Sequence, residues 1–227
     1  MNERTKAVII LSGGLDSTTC MGLAQAEDRE LFPITFNYGQ RHVIELECAK
    51  KVAAYYGVVE RLKLVELPFL KDIGGSALTD ETIEVPRDEL QTDRIPVTYV
   101  PGRNLLFLSL AGAYAETIGA TELWIGVNAL DYSGYPDCRP EFIASMETVL
   151  AQALKMGVEG KPVVIRAPLI HWTKAEIIKH GLVVNVPYEL TTSCYVGKEQ
   201  PCGHCDSCLL RMKGFEMAGM IDPLLLS

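Results

Sequence analysis

Near the start of the chain, residues 7–11 (AVIIL) run directly into Ser12-Gly13-Gly14-Leu15-Asp16-Ser17 and then into a helical pattern. A run apolar on both faces is a strand buried in a sheet that is covered on both sides. Strand, glycine turn and helix in that order make the first half of a crossover unit. The chain is thereby constrained to an α/β layer structure from its N-terminal end.

The alternation continues. Residues 31–37 (LFPITFN), 62–67, 122–127 and 163–166 read as further strands, with Pro33 acceptable only near a strand start. Helices are expected over 16–27, 40–56, 104–118 and 173–180, the last capped by Thr173 and stopped by Gly181. Phe142, Met146, Val149, Leu150, Ala153 and Leu154 form one more helical stripe. Residues 68–95 keep no period and carry Gly74-Gly75, Pro86 and many charges, so they read as a long, partly mobile loop of the kind that forms lids. Right-handed crossovers then give a doubly wound parallel sheet of about five strands. Ligands bind beyond the carboxyl ends of such strands, near the switch point, where the loop at 12–17 is delivered.

That loop has the makings of a phosphate cradle. Adjacent glycines let the backbone approach an anion closely, Ser12, Ser17 and Thr18 add hydroxyls, and the following helix offers unpaired N–H groups and a positive dipole end. An ordinary strand-to-helix turn, with Asp16 or Ser17 capping the helix, is the competing reading. The string is neither a Walker A loop nor the dinucleotide fingerprint G-x-G-x-x-G.

Cys194, Cys202, Cys205 and Cys208 form C-x7-C-x2-C-x2-C, four of the seven cysteines in the chain. Four thiolates make a closed, structural zinc site that orders a segment with little core of its own. The last three also match part of an iron–sulfur run, and His204 is an alternative ligand. The expected division is a nucleotide-binding α/β domain over 1–190 and a zinc-binding segment over 191–227 packed on it. Cys20 and Cys48 fall in helical patterns and read as core, whereas Cys138 lies in a loop. The start carries no export-signal pattern, so clustered cysteines suit a reducing, cytoplasmic setting. With 227 residues, 48% hydrophobic, there is enough for one sizeable core. The net charge of -8 argues against a long nucleic acid and for a small-molecule substrate. No membrane span is expected.

The loop resembles the SGGxDS signature of the PP-loop ATP pyrophosphatases. That resemblance implies a fold of the adenine-nucleotide α-hydrolase type, with Leu11, Ser12, Gly13, Gly14, Leu15, Asp16, Ser17 and Thr18 around ATP and Phe36, Asn37 and Tyr38 near adenine and ribose. The β- and γ-phosphates are then gripped, the α-phosphorus is attacked, and AMP and pyrophosphate leave. Asp16 would help hold Mg²⁺. In this chemistry positioning and electrostatics do most of the work.

Five strings in order, LSGGLDSTTC, NYGQRH, VPGRN, DYSGYPDCRPEF and CGHCDSCLLR, are similar to the 7-cyano-7-deazaguanine synthases of queuosine precursor formation, over essentially the whole chain. The implied reaction makes a nitrile from 7-carboxy-7-deazaguanine, ammonia and ATP, by a homodimer. Arg103 and Asn104 stand at a strand-to-helix junction facing the ligand edge, and Arg103 suits a phosphate or carboxylate. Asp131, Tyr132, Asp137 and Arg139, with Gln40, are the remaining candidates for the base. Lys174 is placed to reach the pyrophosphate, with a plain surface lysine as its alternative. Gln40-Arg41-His42 could likewise reach the site or lie on the surface. A tRNA-modifying enzyme with the same loop would want an RNA-binding domain and a basic face. A non-catalytic nucleotide sensor would not need this phosphate grip.

Overall fold

The computed structural model describes residues 4–89, 94–130, 134–198 and 200–225. The elements run β1 (Lys6–Ile10), α1 (Leu15–Ala26), β2 (Glu30–Asn37), α2 (Ile44–Tyr55), β3 (Lys63–Glu66), α3 (Phe69–Ile73), α4 (Arg103–Ile118), β4 (Glu122–Trp124), α5 (Pro140–Ala153), α6 (Lys155–Val158), β5 (Val164–Arg166), α7 (Lys174–Val183) and α8 (Asp206–Ala218). The five strands are parallel in the order β3-β2-β1-β4-β5. Strand order reverses between β1 and β4, which places the switch point directly above β1.

β1 shows why its sequence is apolar throughout. Val8 and Ile10 face one layer with Phe107, Leu108 and Ala111 of α4 and Met146 of α5. Ala7, Ile9 and Leu11 face the other with Met21 of α1 and Ala49, Val52 and Ala53 of α2. Burying each large side chain contributes roughly 1.5–3 kcal/mol. Pro33 sits inside β2, not at its start. The Ile34 carbonyl accepts from the Leu11 N–H at 2.9 Å, so residue 34 faces β1 and its neighbour Pro33 faces the other edge. β3 pairs only from Ile34 onward, and the missing N–H of Pro33 therefore leaves no gap in the ladder.

Several expected boundaries shift. β4 is Glu122–Trp124 and not 122–127, because the chain turns away to bring Gly126 and Val127 over the phosphate loop. α2 starts at Ile44, since Gln40 holds a turn ahead of it. α7 runs through Gly181 to Val183. Gly181 is not a stop but a gap in the helix surface, and any Cβ there would collide with the Tyr188 hydroxyl. The segment 68–95 is packed where it is described. It opens with α3, Ala77 and Leu78 are buried, and Arg41 Nη2 donates to the Asp80 and Ile83 carbonyls at 2.5 and 2.9 Å. Val149 lies half exposed on the outer side of α5. Among the described residues, no helix is long and apolar enough to cross a membrane.

Candidate active site

A cleft of about 200 Å³ opens at the switch point. Its walls come from the loop after β1, the end of β2, the start of α4, the extension of β4, the start of α7 and the segment 192–195.

The phosphate loop is shaped before any ligand arrives. Gly13 has φ +84°, a conformation that L side chains rarely adopt, and it presses on the backbone of α2, where a Cβ would stand 2.6 Å from the Ala49 nitrogen. Gly14 follows in extended conformation as the first cap of α1. The Ser12 and Ser17 hydroxyls lie 3.0 Å apart, the Gly14 N–H donates to Ser12 Oγ, and Thr18 Oγ1 donates back to the Gly14 carbonyl at 2.8 Å. From the other side, Gly126 closes against the loop. A Cβ there would lie 2.9 Å from both the Asp16 carbonyl carbon and the Ser17 nitrogen.

Lys174 Nζ contacts both Asp16 carboxylate oxygens, at 2.7 and 2.8 Å. The first turn of α7 is held for this. Thr173 accepts from the Glu176 N–H while Glu176 accepts from the Thr173 N–H, a capping box. Asn128 Nδ2 donates to the Leu169 and Trp172 carbonyls, which ties the β4 extension to the chain leading into Thr173. The lysine is therefore buried in the cleft and is not a surface residue.

Of the remaining candidates, Leu11, Ser12, Gly14, Leu15, Ser17, Phe36, Tyr38, Gln40, Arg103 and Asn104 line the cleft with Asp16 and Lys174. Phe36 stacks on Phe107 with centroids 4.0 Å apart, making an apolar floor. Arg103 donates to the Tyr38 hydroxyl at 3.3 Å and lies over its ring. Burial pushes that phenol up to about 12, so it is neutral. Gly13 and Thr18 stand behind the loop. Three candidates are not cleft residues. Asn37 Oδ1 accepts from the Gly39 N–H in a local turn, Arg139 is exposed at the cap of α5, and the Asp137 carboxylate accepts from the Asn104 N–H at 2.9 Å. A short polar side chain at a helix start is commonly used in this way. Gln40 lines the cleft, but its amide is engaged with the Tyr38 N–H and Phe36 carbonyl. Asp131 and Tyr132 lie outside the described residues.

Sequence reading passed over Glu45, Asn128, Tyr135, Thr192, Tyr195 and Arg211, all of which line the cleft, and left His42 undecided. His42 is 2% exposed, so the surface reading of it fails. The signals were faint. Arg211 alone had one, a charge in an otherwise apolar helix face. Its guanidinium bonds both Asp222 oxygens at 2.7 and 2.9 Å, Thr191 Oγ1 at 2.7 Å and the Tyr188 carbonyl at 3.1 Å.

Beside the cleft, the sulfurs of Cys194, Cys202, Cys205 and Cys208 lie within 4.8 Å of one another. The N–H groups of His204 and Cys205 point at Cys202 Sγ. Hydrogen bonds from Cys205 and Cys208 hold the Cys194 thiol well below its ordinary value, and the same contact pushes Cys205 up to about 11. This is a set of thiols that can hold a metal ion. His204 takes no part, its ring being turned to Asp88 at 2.8 Å. The Thr192 N–H donates to the Gly13 carbonyl at 3.1 Å, which joins the cysteine segment to the phosphate loop. Cys138, also in the cleft, is pushed up to about 12 by burial and then by Asp137, and is a neutral thiol.

A family model described as the queuosine biosynthesis protein QueC matches residues 6–219. A 7-cyano-7-deazaguanine synthase of Oceanobacillus iheyensis is 56% identical over 220 residues, covering 96% of this chain and 97% of the relative. One of Geotalea uraniireducens is 58% identical, covering 96% of each. Among solved structures, an NMN synthetase of Francisella tularensis shares the fold with a TM-score of 0.50 at 14% identity, covering 89% of this chain and 71% of that one.

Proposed function

The chain belongs to the QueC family of queuosine biosynthesis proteins, and from that premise we propose that it converts 7-carboxy-7-deazaguanine and ammonia into 7-cyano-7-deazaguanine with ATP. The observation that carries this is a preformed serine–glycine loop at the switch point with an Asp16–Lys174 pair beside it.

Turning a carboxylate into a nitrile removes two oxygens as water equivalents, and each must first become a good leaving group. Transfer of AMP to the substrate oxygen does this, with pyrophosphate departing. The loop amides and the Ser12 and Ser17 hydroxyls grip the terminal phosphates, while Lys174 neutralises charge that develops on them. Ammonia displaces the first AMP to give an amide, and a second adenylation of the amide oxygen lets the nitrile form. Phe36 and Phe107 supply an apolar floor for a flat ring, and Arg103 supplies a fixed cation for a carboxylate or phosphate.

Asp16 is the loop carboxylate suited to Mg²⁺, which would share charge on the pyrophosphate. The four thiolates suit one zinc ion. A tetrahedral ion with metal–sulfur bonds of about 2.3 Å wants sulfurs roughly 3.8 Å apart, and Cys202 and Cys208 are 4.0 Å apart. A cluster of several irons would hold its cysteines wider. A closed thiolate shell leaves the ion no role in the chemical step. The zinc segment over 191–227, cytoplasmic location and homodimeric assembly complete the reading.

Incubation with ATP, the deazaguanine acid and ammonium tests it. AMP and pyrophosphate formed in step with nitrile are expected. ADP with inorganic phosphate would overturn it, and AMP formed only with tRNA would point to RNA modification.

A further inference from the structure

We infer that His42 and Glu45 form the site at which ammonium enters the reaction and gives up a proton. This rests on the reading of the chain as an ATP-dependent nitrile-forming enzyme and assigns its nitrogen substrate a place.

His42 lines the cleft together with Glu45 and the phosphate loop. Its Nε2 lies 3.1 Å from Glu45 Oε2. A carboxylate only accepts, so Nε2 carries a proton, and in the neutral ring Nδ1 is then the acceptor. Nδ1 is buried and has no hydrogen-bond partner among the described residues. Buried polar atoms almost always have one, so this acceptor calls for a partner that the described residues do not supply. The surroundings indicate its chemistry. Tyr38 and Tyr195 flank the imidazole with centroids at 6.5 and 6.0 Å, and the Glu45 carboxylate is mostly buried. A carboxylate and an acceptor beside two aromatic rings together suit a small cation that donates hydrogen bonds. The Glu45 backbone carbonyl also abuts Gly13, so the pair sits against the phosphate loop.

Ammonium has no lone pair and cannot attack. Transfer of one proton to His42 Nδ1 frees the nitrogen pair, which forms the C–N bond at the adenylated carboxyl carbon. The bond from that carbon to the phosphate oxygen breaks, with its electron pair leaving on AMP, and the extra proton of the adduct passes to water. The imidazolium stays bonded to Glu45 through Nε2–H and returns its proton to solvent before the next turnover.

The full chain carrying His42→Gln tests this, with two readouts. Substrate-dependent ATP–pyrophosphate exchange without ammonium reports adenylation, and amide plus nitrile formation with ammonium reports amination. Exchange should stay close to the unaltered rate while amination at neutral pH falls about 100-fold. The residual rate at fixed total ammonium should climb about tenfold per pH unit, as free ammonia does, and more steeply than in the unaltered protein. The groups facing His42 that also bear on such a profile are Glu45, Tyr38 and Tyr195. Hydroxylamine, already unprotonated, should restore product release in His42→Gln. Glu45→Gln should raise the KM for ammonium with exchange retained. Unchanged amination in His42→Gln, or exchange and amination lost in parallel, would overturn the assignment. Absence of exchange in the unaltered protein would instead overturn the functional reading itself, and this site with it.

Discussion

Lys174 Nζ lies 2.7 Å from Asp16 Oδ1 and 2.8 Å from Oδ2, joining the phosphate loop to the first residue of α7 across 158 positions of sequence. The two side chains are 9% and 21% exposed. Both residues line the cleft, so a ligand entering it meets the pair together.

Asp16→Ala is expected to abolish AMP release with the sheet intact by circular dichroism. Lys174→Ala should lower kcat/KM by about 10²–10³. Each single change leaves a partly buried charge without its partner, so the double variant should melt at a higher temperature than additivity of the two single losses gives. Additive melting temperatures would show the pair to be uncoupled.

The cysteine site and the phosphate loop should fail together. Cys205→Ser is expected to lose metal, and about one zinc per unaltered chain should be found by elemental analysis. Because Thr192 holds the Gly13 carbonyl, metal loss should also raise the Kd for ATP, read by calorimetry. Metal loss with unchanged ATP affinity would separate the two regions.

How far the sequence speaks for itself differs between fold and site. The buried β1 run, the alternation and the cysteine spacing are local patterns, and each recurs in the structure within a few residues. Boundaries failed where a side chain from far away intervenes. Gly181 reads as a stop until Tyr188 is seen to need the space, while Asp137, a candidate for the base, accepts from the Asn104 N–H at the start of α4. Tyr195 and Arg211 escaped notice because they reach the cleft only when the cysteine segment folds back over β1, a long-range event with no periodicity.

Gly181 offers a steric test. Gly181→Ala drives a methyl group into the Tyr188 hydroxyl, which also bonds Thr19 Oγ1 at 2.9 Å and the Ile177 carbonyl at 3.2 Å. A loss of about 1–3 kcal/mol in denaturant unfolding is expected. Adding Tyr188→Phe removes the nearest colliding atom and leaves the ring carbon at 2.8 Å as the closest, so the double variant should be less destabilised than the sum of the two. A strictly additive result would mean that the collision is relieved elsewhere.

Cys138 ties stability to alkaline pH. Its folded-state value is raised to about 12, against about 8.5 for an ordinary thiol. The folded chain thus keeps a proton that the unfolded chain releases, and the resulting stability is full below about pH 8.5 and is lost as pH rises toward 12. Cys138→Ala should flatten the decline of melting temperature above about pH 9, and the folded protein should resist alkylation at Cys138 by mass spectrometry. Rapid labelling at pH 8 would contradict a buried, neutral thiol.

Gly126 and Gly13 hold the phosphate loop from opposite sides, one beneath the β4 extension and one on α2. A seat wedged in this way cannot mould itself to its guest. A lone methyl at Gly126 would press on the Asp16 carbonyl and the Ser17 nitrogen, and one at Gly13 on the backbone of α2, so either would push the loop out of the shape that receives phosphate.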